Sequence, residues 1–225
     1  MTFPTGPVAA PVVVTEIAAG RPVRAVWVNE LGGVTFSIAD GAEYVKTYPD
    51  GYADQLVAEK QRLTWARRYV AVPRVLGAGS GWLHTAGLPG RSAVDPQWVD
   101  EPQTAARAIG MGLRHLHDTL PVADCPFGRP SWVPADAPPP DRLVVVHGDA
   151  CAPNTVMAED GTFTGHVDLG DLGVADRWAD LAIASMSLDW NYPTDGPDGF
   201  AAVLFDAYGV TADTGRVAYY RRAWD

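Results

Sequence analysis

Cysteine is nearly missing from this chain. Cys125 and Cys151 are its only two in 225 residues, too few for a disulfide framework. Apolar runs are short. None approaches the roughly 18 residues that a membrane-spanning helix needs, so no transmembrane segment is expected. The first residues, Met1 to Pro11, lack a basic start followed by an apolar stretch, so no signal peptide is expected, and a cytoplasmic location is expected. Basic residues are scarce: 17 Lys and Arg against 27 Asp and Glu give a net charge of −10. That balance argues against nucleic acid, whose phosphates want cations. It favours solubility and would steer a small cationic substrate. His115 and His117 fall on one predicted helix without partners at metal-ligand spacing, so no zinc site is expected. There is no internal repeat, no Gly-Lys-Ser/Thr phosphate loop, and no signal for an oligomeric state.

What is present suffices for a packed core. With 47% apolar residues, a chain of this length forms one large domain or two small lobes. Segments 25–28 and 34–38 read as strands around Asn29-Glu30-Leu31-Gly32-Gly33, a hairpin turn. Residues 43–48 make a third strand, rich in aromatic and β-branched residues. A helix is expected over about 54–69, with Asp54 as its cap. Segments 75–76 and 82–85 read as two more strands of the same antiparallel sheet. Leu88-Pro89-Gly90 breaks the pattern and divides the chain into a lobe over 1–88 and a lobe over 89–225. The second lobe opens with a helix at about 102–119, carrying Pro102 in its first turn and Ile109, Leu113 and Leu116 at helical spacing. A Pro-rich, loop-like stretch covers 121–141. Helices are expected at about 178–188 and 199–208. Strands plus one helix, followed by mostly helices around a small hairpin, is an α+β architecture with two lobes.

The chemistry concentrates at His147-Gly148-Asp149-Ala150-Cys151-Ala152-Pro153-Asn154, followed by Val167-Asp168-Leu169-Gly170. The strand-like run 143–146 feeds the first motif. An Asp, an Asn five residues on, and a second Asp after a β-type segment are how a kinase places one base and two metal ligands. Phosphoryl transfer needs the hydroxyl held in line, its proton accepted, and the phosphate charge neutralised. Asp149 is the expected base, with Asn154 and Asp168 as ligands of Mg²⁺, a hard cation that also takes oxygens from ATP. Lys46, at a strand end, and Glu59, in the next helix, are the expected phosphate-binding lysine and the carboxylate that holds it. The Asn29–Gly33 turn could cover phosphates with its N–H groups, but on its own it reads as an ordinary hairpin. Cys151 is expected to be a small packed residue and His166 a satisfied strand histidine. Asp176 and Asp180 are read as structural, although Asp180 could accept bonds from the motif's backbone.

These motifs resemble the aminoglycoside phosphotransferases, most closely the 3′-phosphotransferase branch. The likeness also rests on residues 34–36, Val72-Pro73-Arg74-Val75-Leu76-Gly77, Leu88-Pro89-Gly90-Arg91-Ser92-Ala93, Cys125-Pro126-Phe127 and residues 167–182. It implies a protein-kinase-like fold, ATP with Mg²⁺, and phosphorylation of a hydroxyl on an aminoglycoside or similar amino sugar. It places Tyr44 where an aromatic stacks on adenine, and the backbones of Ala86 and Leu88 where a linker bonds the base. The chain departs from the family at two points. A long helical insertion before the catalytic strand is reduced to the Pro-rich stretch 128–141, and Asp171 stands where Arg is common. The tail only partly matches, which makes Asp225 a candidate acceptor contact. Two alternatives stay open: a kinase for a metabolite such as an amino alcohol or plain sugar, and a nucleotide-binding module without transferase activity.

Overall fold

The computed structural model describes residues 3–193 and 199–224. The chain divides into two compact units, residues 1–67 with 73–88, and residues 68–72 with 89–225.

The first unit is an antiparallel sheet with two helices. Strands β1 (Val23–Val28), β2 (Val34–Ile38), β3 (Glu43–Thr47), β4 (Val75–Gly79) and β5 (Trp82–Ala86) run in the order β1-β2-β3-β5-β4. Side chains alternate across a strand. Phe36, Ile38 and Val45 are therefore buried together on one face, where Val14 and Ala18 of α1 (Val12–Ala18) cover them. Tyr44 and Lys46 alternate onto the other face. Helix α2 (Ala53–Ala66) buries Leu56, Glu59 and Leu63.

Helix α1 was not legible in the sequence, because its Val-Val-Val start favours strand. Tertiary contacts override that preference. Arg21 donates from Nε to the Ala18 carbonyl and from Nη2 to Ile17, satisfying the end of the helix. Arg21 also grips Glu43 through both oxygens, at 2.8 and 3.0 Å, and His84 Nε2 joins Glu43 at 2.8 Å. The hydrogen bond from Arg21 and then that of His84 hold the Glu43 carboxyl down at about 2. Asp54 lies in the first turn of α2 but does not cap it: the N-cap position is Tyr52, without a side-chain bond. The helix stops at Ala66, three residues short of the expected end, and segment 68–72 groups with the second unit.

The second unit contains strand β6 (Arg91–Ser92), the short α3 (Pro96–Val99) and the long α4 (Pro102–Thr119). Helix α4 has the predicted bounds and starts on Pro102, whose missing N–H costs nothing in a first turn. Then come β7 (Leu143–Val146), β8 (Thr155–Met157), β9 (Phe163–His166) and β10 (Gly173–Asp176), followed by α5 (Arg177–Asn191), α6 (Ala201–Tyr208) and α7 (Thr214–Trp224). Strands β7 and β10 pair antiparallel, while β6, β8 and β9 form a small sheet. Helix α5 is the centre of the unit: every residue from Trp178 to Leu188 is buried. Helix α4 lies so close to α6 that a Cβ on Gly110 would come within 2.4 Å of the Leu204 carbonyl oxygen. Helix α7 buries only Tyr220 among its residues, and so offered no apolar stripe to find.

Candidate active site

The segment after β7 is fixed almost atom by atom. The backbone N–H groups of His147 and Gly148 donate to the two oxygens of buried Asp180, at 2.6 and 3.0 Å. His117 Nε2 lies 2.9 Å from the same carboxylate, and its Nδ1 is 2.9 Å from the Tyr208 hydroxyl. Burial pushes the Asp180 carboxyl up, but the bonds from His117 and Gly148, with the charges nearby, carry it below its ordinary value. Asp180 therefore anchors the loop, the option that the sequence reading raised but did not favour. Asp176 caps α5 at Trp178 N and binds Arg216, both structural roles.

Gly148 has φ +85°, and a Cβ there would sit 2.1 Å from the Asp171 carbonyl oxygen. Only glycine fits. The His147 ring donates from Nε2 to the Val167 carbonyl at 2.9 Å and accepts from Asp149 N at 3.3 Å on Nδ1, which fixes its tautomer. Ala152 N donates to Ser187 Oγ at 2.9 Å, and Ser92 Oγ to the Pro153 carbonyl at 2.8 Å.

This scaffold brings Asp149, Asn154 and Asp168 together. Asn154 donates from Nδ2 to the Asp149 carbonyl at 2.9 Å, which fixes the orientation of its amide. Val167 N donates to the Asn154 carbonyl at 3.0 Å, tying the second motif to the first. Asp168 adopts φ +59°. Asp149 Oδ1 is buried without a hydrogen-bond partner. Burial and then the Asp168 charge push the Asp149 carboxyl above its ordinary value. An orphaned carboxylate oxygen, a second carboxylate and an amide oxygen are hard donors that fit Mg²⁺. Among the described residues no group of three His, Cys, Asp or Glu could hold a metal ion.

Two neighbours differ in how they met expectation. Cys151 is packed, and burial followed by the Asp149 charge drives its thiol far above the ordinary range. His166 is not the satisfied strand histidine expected: its Nε2 is buried without a partner. Burial and then the neighbouring His147 hold it down at about 3, so the ring stays neutral.

In the first unit, Lys46 Nζ meets Glu59 Oε2 at 2.8 Å. Tyr44 is half-buried on the same face, and burial raises its phenol. Ala86 N–H donates to Arg74 and Gly87 N–H to Ala42, both at 2.8 Å. Ala86 ends β5, paired with Glu43, and Leu88 follows two residues on. The Asn29–Gly33 turn is an ordinary hairpin. Asn29 Oδ1 accepts from Leu31 N and Gly33 N at 3.1 and 2.7 Å, and its carbonyl accepts from Gly32 N. Those N–H groups are spent inside the turn. Asp225 lies outside the described residues.

A model of the phosphotransferase enzyme family designated APH matches residues 13–135 and 130–220. The chain belongs to that family. It is an enzyme, an ATP-dependent phosphotransferase of small molecules acting on an alcohol group. Streptomycin 3''-kinase of Streptomyces griseus is 32% identical, over 87% of this chain and 89% of that one. Aminoglycoside 3'-phosphotransferase of Streptomyces fradiae is 32% identical, over 77% and 80%. Among solved structures, aminoglycoside phosphotransferase APH(3'')-Id from Streptomyces rimosus superposes with a TM-score of 0.74 at 25% identity, covering 93% of this chain and 94% of that one. The same Streptomyces rimosus protein has been solved with ADP and streptomycin. These likenesses agree with the α+β, two-lobed, protein-kinase-like fold.

Sequence reasoning missed Trp132, His117, Ser92 and Ser187 as supports of the loop. None carries a local signal: Trp132, Ser187 and Ser92 reach the loop from 16, 35 and 61 residues away, and His117 reaches Asp180 from 63.

Proposed function

We propose that this enzyme transfers the γ-phosphate of ATP to a hydroxyl of an aminoglycoside or similar amino sugar in the cytoplasm, with Asp149 as general base. The supporting observation is the unpartnered, buried Asp149 oxygen held beside Asn154 and Asp168. A carboxylate whose proton affinity is raised is a better acceptor for a hydroxyl proton than an exposed one. Asp149 orients the acceptor hydroxyl and takes its proton as the oxygen attacks phosphorus. Asn154 Oδ1 and the Asp168 carboxylate would hold Mg²⁺, which neutralises phosphate charge when bound. Lys46, held by Glu59, contacts the phosphates. Tyr44 stacks on adenine, while the Ala86 carbonyl and Leu88 N–H bond its edge. The net charge of −10 favours a cationic acceptor, and the relatives named for streptomycin and aminoglycosides point to the same class. Among the described residues no helix is long and apolar enough to cross a membrane.

The test is ADP release from ATP and Mg²⁺ with kanamycin-like, streptomycin-like and simple amino-sugar or amino-alcohol acceptors. Stimulation by an aminoglycoside, lost in Asp149→Asn while nucleotide still binds, is the expected outcome. Stimulation by the amino alcohol alone would replace the acceptor class, and full activity of the Asn variant would remove the base assignment.

A further inference from the structure

The Pro-rich stretch does more than connect. Its turn is closed by Val133 N donating to the Pro130 carbonyl at 3.1 Å and by Arg129 Nε donating to the Val133 carbonyl at 2.7 Å. Buried Val133 pins it to the unit. Trp132, between these ties, donates from Nε1 to the Gly148 carbonyl at 2.6 Å. That carbonyl belongs to the peptide unit whose N–H is Asp149 N, and Asp149 N donates to His147 Nδ1 at 3.3 Å. One peptide plane, the one leading into Asp149, is thus held at both ends.

The clamp matters because of the glycine. Gly148 at φ +85° has more freedom than any other residue to rotate its following peptide. Such a rotation would swing the Asp149 side chain. The indole is itself wedged: its ring meets Trp224 of α7 edge-on at 4.9 Å and Tyr220 at 6.4 Å.

We propose that Trp132 is a positioning residue for phosphoryl transfer, orienting the Asp149 base through the Gly148 carbonyl and itself held by the aromatic end of α7. It takes this place in a stretch that stands where the family carries a helical insertion. The inference rests on Asp149 being the base.

The experiment compares Trp132→Phe, Trp224→Leu, their double variant and Asp149→Asn in steady-state assays with ATP and the best acceptor. Trp132→Phe keeps an aromatic ring, smaller than the indole, and removes the donor. Losing one such bond should lower kcat about three- to tenfold, with both KM values within about twofold of wild type. Trp224→Leu should lower kcat less, and its effect should largely vanish in the Trp132→Phe background, because residues acting through one contact are not additive. A Trp132→Phe enzyme with wild-type kcat, beside an inactive Asp149→Asn, would overturn the proposal. So would additive effects of the two Trp variants; if Trp132→Phe alters folding, a Trp224→Leu enzyme with wild-type kcat is the result that overturns it. An active Asp149→Asn would instead remove the base reading on which the inference depends.

Discussion

Replacing Asp180 should unlock the loop after β7, and its geometry sets the cost. Oδ1 accepts from Gly148 N, while Oδ2 accepts from both His147 N and His117. All of these atoms are buried. In Asp180→Asn one oxygen becomes an NH₂ group. The less costly orientation keeps the oxygen at the two-donor position and turns the NH₂ toward Gly148 N–H, donor against donor. One buried N–H is orphaned, at about 1–3 kcal/mol, and two charge-assisted bonds become neutral ones. The total is about 3 kcal/mol. Asp180→Ala removes all three bonds and should approach the upper end of the roughly 3–5 kcal/mol seen when one member of a buried pair is lost. Against a typical stability of about 5–15 kcal/mol, either change moves the urea midpoint plainly, and Ala should cost more than Asn. Because the Asp180 carboxyl lies below its ordinary value, its contribution is present above the unfolded-state pKa. It is lost as pH falls through the folded one, so the gap between wild type and Asp180→Asn should narrow under acid. Urea melts of the three proteins at neutral pH and in acid measure this. An Ala variant within about 1 kcal/mol of wild type, less than a single orphaned buried group costs, would refute the anchoring role.

Three further outcomes are expected. Gly148→Ala places a methyl 2.1 Å from the Asp171 carbonyl oxygen in a left-handed backbone and should cost about 3 kcal/mol, read as a shift in urea midpoint with a loss of kcat. Glu43, held at about 2 against an ordinary 4.5, stabilises the first unit above the ordinary value and loses that effect as pH falls toward 2. Glu43→Gln should therefore be less stable than wild type near neutrality and converge with it between pH 4.5 and 2, followed by circular dichroism. Cys151, whose thiol is driven far up, should resist iodoacetamide at pH 8 in the folded enzyme and react once unfolded; rapid native labelling at this position would contradict its packing.

The parts of the fold that were legible share one property: their signal is local and periodic. Helix α4 announces itself through Pro102 and an apolar stripe, and β1 to β3 through alternation around turn residues. Helices α1 and α7 are held by distant partners, Arg21 with Glu43 in one case and the burial of Tyr220 in the other, and short windows do not carry such information. The site divides the same way. Asp149, Asn154 and Asp168 follow one another at readable spacing, and Lys46 with Glu59 needed only a strand followed by a helix. The scaffold around them, Asp180, His117, Ser187, Ser92 and Trp132, is assembled by tertiary structure. His166 misled because a strand histidine ordinarily finds two partners, and here the fold leaves Nε2 buried without one.

The carboxylates of Asp149 and Asp168 oppose the fold that carries them. One is buried with an oxygen unbonded, and the residue that bears the other has a left-handed backbone. Such strain persists at working sites and is relieved when function is discarded. An engineering campaign that ranks variants by melting temperature alone would therefore enrich Asn at position 149 and Gly at position 168, and on the proposed roles of these residues would deliver a sturdier protein without turnover. Screening this enzyme for robustness calls for a growth or turnover readout run beside the heat challenge.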